Sequence, residues 1–158
     1  MRKDNNNRRF RSDERSEWDQ KVVEISRVTR VMAGGKRMRF RALVVIGDNK
    51  SRVGFGIGKG ADVSMAVQKA TNRAHKSIIT IPIYKTTVPH EVRAKYGSAQ
   101  VMLKPAPVGT GVIAGGPVRV VLGVSGVANV VAKMLGSANK LNNVKAVFKA
   151  LSNFKVKI

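Results

Sequence analysis

The chain has 158 residues, with 30 Lys and Arg against nine Asp and Glu and no cysteine. Its 43% hydrophobic content suffices for one ordinary core or two small ones, while a net charge of +21 opposes compaction unless a polyanion shares the space. Disulfides and thiolate zinc sites are excluded, the two histidines (His75, His90) are too few for a histidine-rich metal cluster, and no apolar run approaches the ~20 residues that span a bilayer.

The opening MRKDNNNRRFRSDERS offers little to bury and no signal-like apolar stretch, so residues 1–16 read as a flexible basic arm on an intracellular protein with no membrane partner. Folded sequence is expected from Trp18, whose ring reads as a packing anchor. Lys21 to Val31 is rich in β-branched residues and suits a strand; Ala33, Gly34, Gly35 and Lys36 supply a turn. In the next segment Met38, Phe40, Ala42, Val44 and Ile46 alternate with Arg37, Arg39, Arg41, Leu43 and Val45. This predicts a strand with one core face and a second face led by three arginines. Gly47 to Ser51 turns the chain, and Arg52 to Ile57 returns as a third strand.

Asp62 is a candidate N-cap, and Val63, Ala66, Val67, Ala70, Ala74 and Ile78 recur at helical spacing, which predicts a helix over about 62–78. Away from that stripe, Lys69, Arg73 and Lys76 project together. The first unit therefore reads β-β-β-α over 17–82. Residues 80–90 (TIPIYKTTVPH) break the periodicity with two prolines, and a second unit over 83–158 is expected. Its elements are a strand at 100–104, the glycine-rich GTGVIAGGP at 109–117, a short helix carrying Val118, Val121 and Leu122, a strand at 128–134, and a helix carrying Leu141, Val144, Val147, Phe148 and Leu151. The order is expected to be β-β-α-β-α, with one of its three strands not placed on particular residues, which makes the whole chain α+β.

Two glycine loops invite a nucleotide. GFGIGKG (54–60) places Val53 where a Walker loop needs its first glycine and Gly60 where it needs a hydroxyl. Read as a dinucleotide fingerprint, it lacks the ribose-binding acid roughly 20 residues on, where Ile78, Ile79, Thr80 and Ile81 stand. The loop at Pro107 to Gly111 is like the opening of a small-molecule kinase phosphate loop, but Val112, Ile113 and Ala114 follow. Residues 92–158 hold ten Lys and Arg and no carboxylate to orient a hydroxyl or hold magnesium. No cofactor is expected. A phosphate-loop kinase or nucleotide-binding enzyme remains the alternative to a nucleic-acid-binding protein.

Lys59 at a helix entry, the Lys69, Arg73, Lys76 stripe, and Arg37, Arg39 and Arg41 at period two all fit a polyphosphate backbone. With only 5% aromatics, structured RNA or duplex recognised by shape is the better ligand than a single strand.

The segment RVTRVMAGGKRMRFRALVVIGDNKSRVGFGIGKGADVSMAVQKA (27–70) closely resembles small-subunit ribosomal protein S5 of the bacterial type. GTGVIAGGPVRVVL and VVAKMLGSAN resemble the second domain of that family, and the likeness runs over about 17–152. It implies an N-terminal domain like the double-stranded-RNA-binding domain, then a two-layer α/β S5 C-terminal domain with a left-handed crossover. It also implies a place in the small subunit beside the messenger RNA entry path, contacts with 16S-type rRNA and with proteins S4 and S8, support of decoding fidelity, no homo-oligomer and no reaction catalysed.

By position, Ala33, Gly34, Gly35 and Lys36 match the family's loop that reaches decoding-head RNA and is associated with spectinomycin resistance. Arg27 and Arg30 match basic positions on the strand leading into it. Gly109, Thr110 and Gly111, with Arg119 beyond, match the region implicated in the S4 interface and translational accuracy. Three positions depart from the pattern: Ser64 and Lys140 stand where proline is usual, and Val108 stands where a glutamate is common.

Overall fold

The computed structural model describes residues 18–154; the expected basic arm and the terminal residues 155–158 lie outside the described residues. Five elements build the first unit: β1 (Asp19–Met32), β2 (Gly35–Gly47), β3 (Arg52–Gly60), α1 (Val63–Ala74) and β4 (Ile78–Thr80). The four strands form one antiparallel sheet in the order β1-β2-β3-β4. The helix is shorter than its apolar stripe suggested, because Ile78 leaves it to open β4, which pairs with Arg52 to Gly54.

The glycines of β3 set the helix position. Gly54, Gly56, Gly58 and Gly60 face α1, where Ala66, Ala70 and Ala74 are fully buried. A Cβ built on Gly56 would lie 2.6 Å from the Ala74 nitrogen, and one on Gly58 would lie 2.6 Å from the Ala70 nitrogen. Helix and strand therefore meet backbone to backbone, a distance only glycine opposite alanine permits.

The second unit holds β5 (Val92–Tyr96), β6 (Ala99–Pro105), β7 (Val112–Ile113), α2 (Gly116–Val124), β8 (Val130–Met134) and α3 (Lys140–Ser152). The sheet order is β5-β6-β8-β7; β8 runs antiparallel to β6 and parallel to β7, with α2 as the crossover between β7 and β8. Pro117 sits in the first turn of α2, and Asn139 caps α3 by accepting from the Leu141 and Asn142 N–H groups. The helices cover one face of the sheet, where Ala94, Val101, Leu103, Val130 and Ala132 join the core.

The expectation of a single core face on β2 is corrected. Ala42, Val44 and Ile46 face α1, but Leu43 and Val45 are buried too, in one cluster with Val121, Leu122 and Phe148 of the second unit. The run ALVVIG is continuously apolar because the strand is covered on both faces. β3 contributes Val53, Phe55 and Ile57 to the same core, with the Phe55 and Phe148 ring centroids 4.5 Å apart. The Asn49 N–H donates to the Val124 carbonyl (3.2 Å), and Lys140 pairs with Glu24 across the units (3.4 Å). Gly47 has no room for a Cβ against Val124, nor has Gly126 against Asn49.

Asp48 shapes the β2–β3 turn. It accepts from the N–H groups of Lys50 (2.8 Å) and Arg52 (2.9 Å) and from Arg52 Nε (2.7 Å). Burial works to raise its pKa, but the Arg52 guanidinium and the two backbone donors outweigh burial and hold the carboxyl below its ordinary value.

Candidate nucleic-acid interface

The β1–β2 hairpin runs past the core, and its register sorts its cations. Arg30 lies opposite Arg37, Val28 opposite Arg39, Ser26 opposite Arg41, and Arg41 opposite Lys59 of β3. Directly opposed residues share a face, so Arg30, Arg37, Arg39, Arg41 and Lys59 form one basic field, and Arg30, Arg37, Arg39 and Lys59 line a cleft together with Val28. The first carboxylate along this face of β1 is Glu24, which is engaged by Lys140. Arg27, opposite Phe40, and Lys36, opposite Val31, lie on the reverse face. The hairpin thus carries positive charge on both sides, with the larger group on the side that leads down to the second unit.

Ala33 and Gly34 make the tip. Gly34 takes φ +86° and Gly35 φ +143°, and a Cβ on either would meet nothing within 4 Å. Glycine is required there for backbone conformation rather than for space. Val31 is 75% exposed and Met38 54% exposed, so the projecting end also offers apolar surface.

GFGIGKG divides by alternation. Its glycines are occupied by α1, which leaves no cavity for a phosphate on that side, while Lys59 points to the hairpin face. Asp62 stands at the N-cap with extended backbone, and its carboxylate accepts from the Ser64 hydroxyl (2.6 Å). That bond comes first among the influences that hold Asp62 below its ordinary pKa, and the resulting negative charge at the helix start disfavours an anionic ligand. Arg73 is partly diverted from the expected basic stripe: its Nη1 donates to the Ile57 carbonyl (2.6 Å), and Ser77 donates to the Phe55 carbonyl (2.6 Å). Beyond β4 the outer edge of β3 has no strand partner, and these two side chains satisfy it. Lys76 is exposed just past the helix end.

Trp18 packs on the Ala42, Val44, Ile46 cluster, stacks edge-on against His75 (5.6 Å) and carries the Arg52 guanidinium 4.9 Å from its ring centroid. His90 meets Phe154 edge-on (5.4 Å). Among the described residues no group of three or more His, Cys, Asp or Glu could hold a metal ion, and no helix is long and apolar enough to cross a membrane.

The second glycine loop is a separate construction. Gly109 takes φ +95° and Gly111 φ +72°, and both N–H groups donate to the Oδ1 of Asn129 (3.0 and 3.1 Å). Asn129 in turn donates from Nδ2 to the Thr86 hydroxyl (3.1 Å), so one buried side chain ties the loop to the segment that joins the units. Thr110 closes a turn onto the Pro107 carbonyl (3.3 Å), Val108 is 84% exposed at the loop surface, and Arg119 is exposed one turn into α2. No sequence spacing pointed to Asn129, because its partners lie 18 to 43 residues away.

Two family models cover the two units in turn. A family model described as ribosomal protein S5, N-terminal domain, matches residues 18–82, and one described as ribosomal protein S5, C-terminal domain, matches 94–156. The chain is 44% identical over 144 residues to the small ribosomal subunit protein uS5c of Emiliania huxleyi, covering 90% of this chain and 91% of that protein. It is 52% identical over 142 residues to the uS5c of Spinacia oleracea, covering 89% of this chain and 46% of that longer relative. With both halves matched in order by the family models and by relatives at 44% and 52% identity, the chain belongs to the ribosomal protein S5 family, a structural, non-enzymatic component of the small ribosomal subunit.

Proposed function

We propose that the β1–β2 hairpin binds 16S-type rRNA near the mRNA entry path and that the second glycine loop supports decoding fidelity at an interface with protein S4, with S8 as a further neighbour. The observation that carries this reading is the field of Arg30, Arg37, Arg39, Arg41 and Lys59 on one face of a projecting ribbon. Cations so placed repel one another in the free protein and are relieved by phosphates. Changing Arg37, Arg39 and Arg41 together to Ala is expected to weaken binding to a small-subunit rRNA transcript by at least about tenfold and to reduce the salt slope by roughly two to three. Arg37 and Arg39 are exposed and Arg41 is half-buried, none of them in the core, so the fold is retained. Unchanged affinity at physiological salt would remove the hairpin from the RNA interface.

The tip and the loop have their own tests. Gly34→Ala forces a positive φ on a side chain at a cost of about 1–2 kcal/mol of local strain, and it is expected to alter the response of ribosomes to spectinomycin. An ordinary response in that variant separates the tip from the antibiotic site. Asn129→Ala frees the Gly109 and Gly111 N–H groups and is expected to raise misreading in a reporter assay while rRNA affinity stays unchanged. Normal accuracy would detach the loop from fidelity.

A further inference from the structure

The helices of the second unit cover only one face of its sheet, and the opposite face is strongly basic. Alternation along β5, β6 and β8 turns Arg93, Lys95, Lys104 and Lys133 to that side, all four exposed. The register places Arg93 and Lys133 on either side of Met102 in one row across the sheet, Lys104 beside Val131 in the next, and Lys95 beside Gln100 in the third. Four cations thus span three strands, and their positions come from sheet geometry rather than from mobile loops. Glu91, just before β5, is the carboxylate that meets them: Lys104 Nζ lies 3.2 Å from its Oε2 and Arg93 Nε 3.2 Å from its Oε1. The chain offers no other acid after that point.

We infer that this open sheet face is a second RNA-binding surface, which holds phosphate backbone independently of the hairpin. The inference extends the rRNA reading given above and rests on it. Cations make up most of the exposed side chains on this face, with Ile113 on the edge strand β7 the exposed apolar one and Met102 and Val131 only partly accessible, so phosphate is favoured over an apolar protein face. Glu91 acts as an internal competitor. It pairs with two of the four cations in the free protein and offsets one unit of their charge, through exposed ion pairs that cost little to exchange for phosphate. Two separate backbone contacts, one on each sheet, would fix the chain's orientation on folded RNA without reading base sequence.

The test uses the full chain and a small-subunit rRNA transcript in filter binding across a salt series. The variant Arg93→Gln, Lys95→Gln, Lys104→Gln, Lys133→Gln is expected to lose at least about tenfold in affinity and about three units of salt slope, additively with the hairpin triple variant. Glu91→Gln is expected to tighten binding about two- to threefold at low salt, because it releases Arg93 and Lys104. An unchanged denaturation midpoint in both variants shows that the fold is kept. If wild-type binding responds to the hairpin variant but neither sheet variant moves affinity or slope, the second surface is refuted and the hairpin reading stands. If neither the hairpin nor the sheet variant has an effect, both readings fail. RNA affinity retained by the sheet variant while its incorporation into assembled subunits is lost would assign the face to an acidic protein and overturn the inference.

Discussion

Gly56→Ala and Gly58→Ala together are expected to lower the free energy of unfolding by roughly 2–6 kcal/mol, read as a shift of the urea midpoint with the slope unchanged. The atoms that the new methyl groups would strike are the backbone groups of Ala66, Ala70 and Ala74, not the movable ends of long side chains. Relief requires the whole helix to lift from the strand, which would also pull the Arg73 and Ser77 donors away from the β3 edge. Each single change costs about 1–3 kcal/mol, and the pair act on one rigid contact, so they are not expected to add perfectly. An unfolding free energy within about 0.5 kcal/mol of wild type would mean that helix and strand lie further apart than described.

Phe148→Ala tests whether the two units unfold as one. Phe148 belongs to α3 of the second unit, yet its ring packs on Phe55 of the first, in a cluster that also holds Leu43, Val45 and Val53. Loss of the ring is expected to cost about 3–5 kcal/mol and to destabilise both sheets together, with a single transition in wild type and variant alike. The discriminating measurement is hydrogen exchange. Amides of β2 and of α3 should lose protection by the same amount, and unchanged protection in β2 would show that the first unit is held without the second.

The sequence disclosed the strands of the first unit well, because β2 alternates from Arg37 to Ala42 and the turns at 33–36 and 47–51 carry strong turn residues. It misjudged β2 beyond Arg41, where apolar residues on both faces signal double coverage and do not say what does the covering. β5 escaped notice: VRAKY is five residues long, with cations on its open face and Val92, Ala94 and the partly exposed Tyr96 on the helix side. β7, two residues within a glycine-rich loop, carries no periodicity at all. The basic residues of the hairpin were legible one by one, and Arg30 and Lys59 joined the three arginines only through the register. Arg73 was assigned to a charge stripe because spacing gives direction without partner, and its bond to Ile57 arises from an edge that only the folded sheet has. Asn129 and the Glu91 pairs depend on long-range or cross-strand geometry that no local pattern encodes.

The shared core has a mechanical consequence for the ribbon it supports. Five consecutive residues of β2, from Gly35 to Arg39, lie outside the core, a reach of about 17 Å for an extended strand. A two-stranded ribbon of that kind is marginal alone, so its stiffness is borrowed from its root, where β2 is clamped between α1, through Ala42, Val44 and Ile46, and the second unit, through Leu43 and Val45. The ribbon behaves as a cantilever: a small rotation at the clamp becomes a larger displacement at Gly34. Substitutions at Val121, Leu122 or Phe148, which touch no cation of the hairpin, should therefore re-aim its tip.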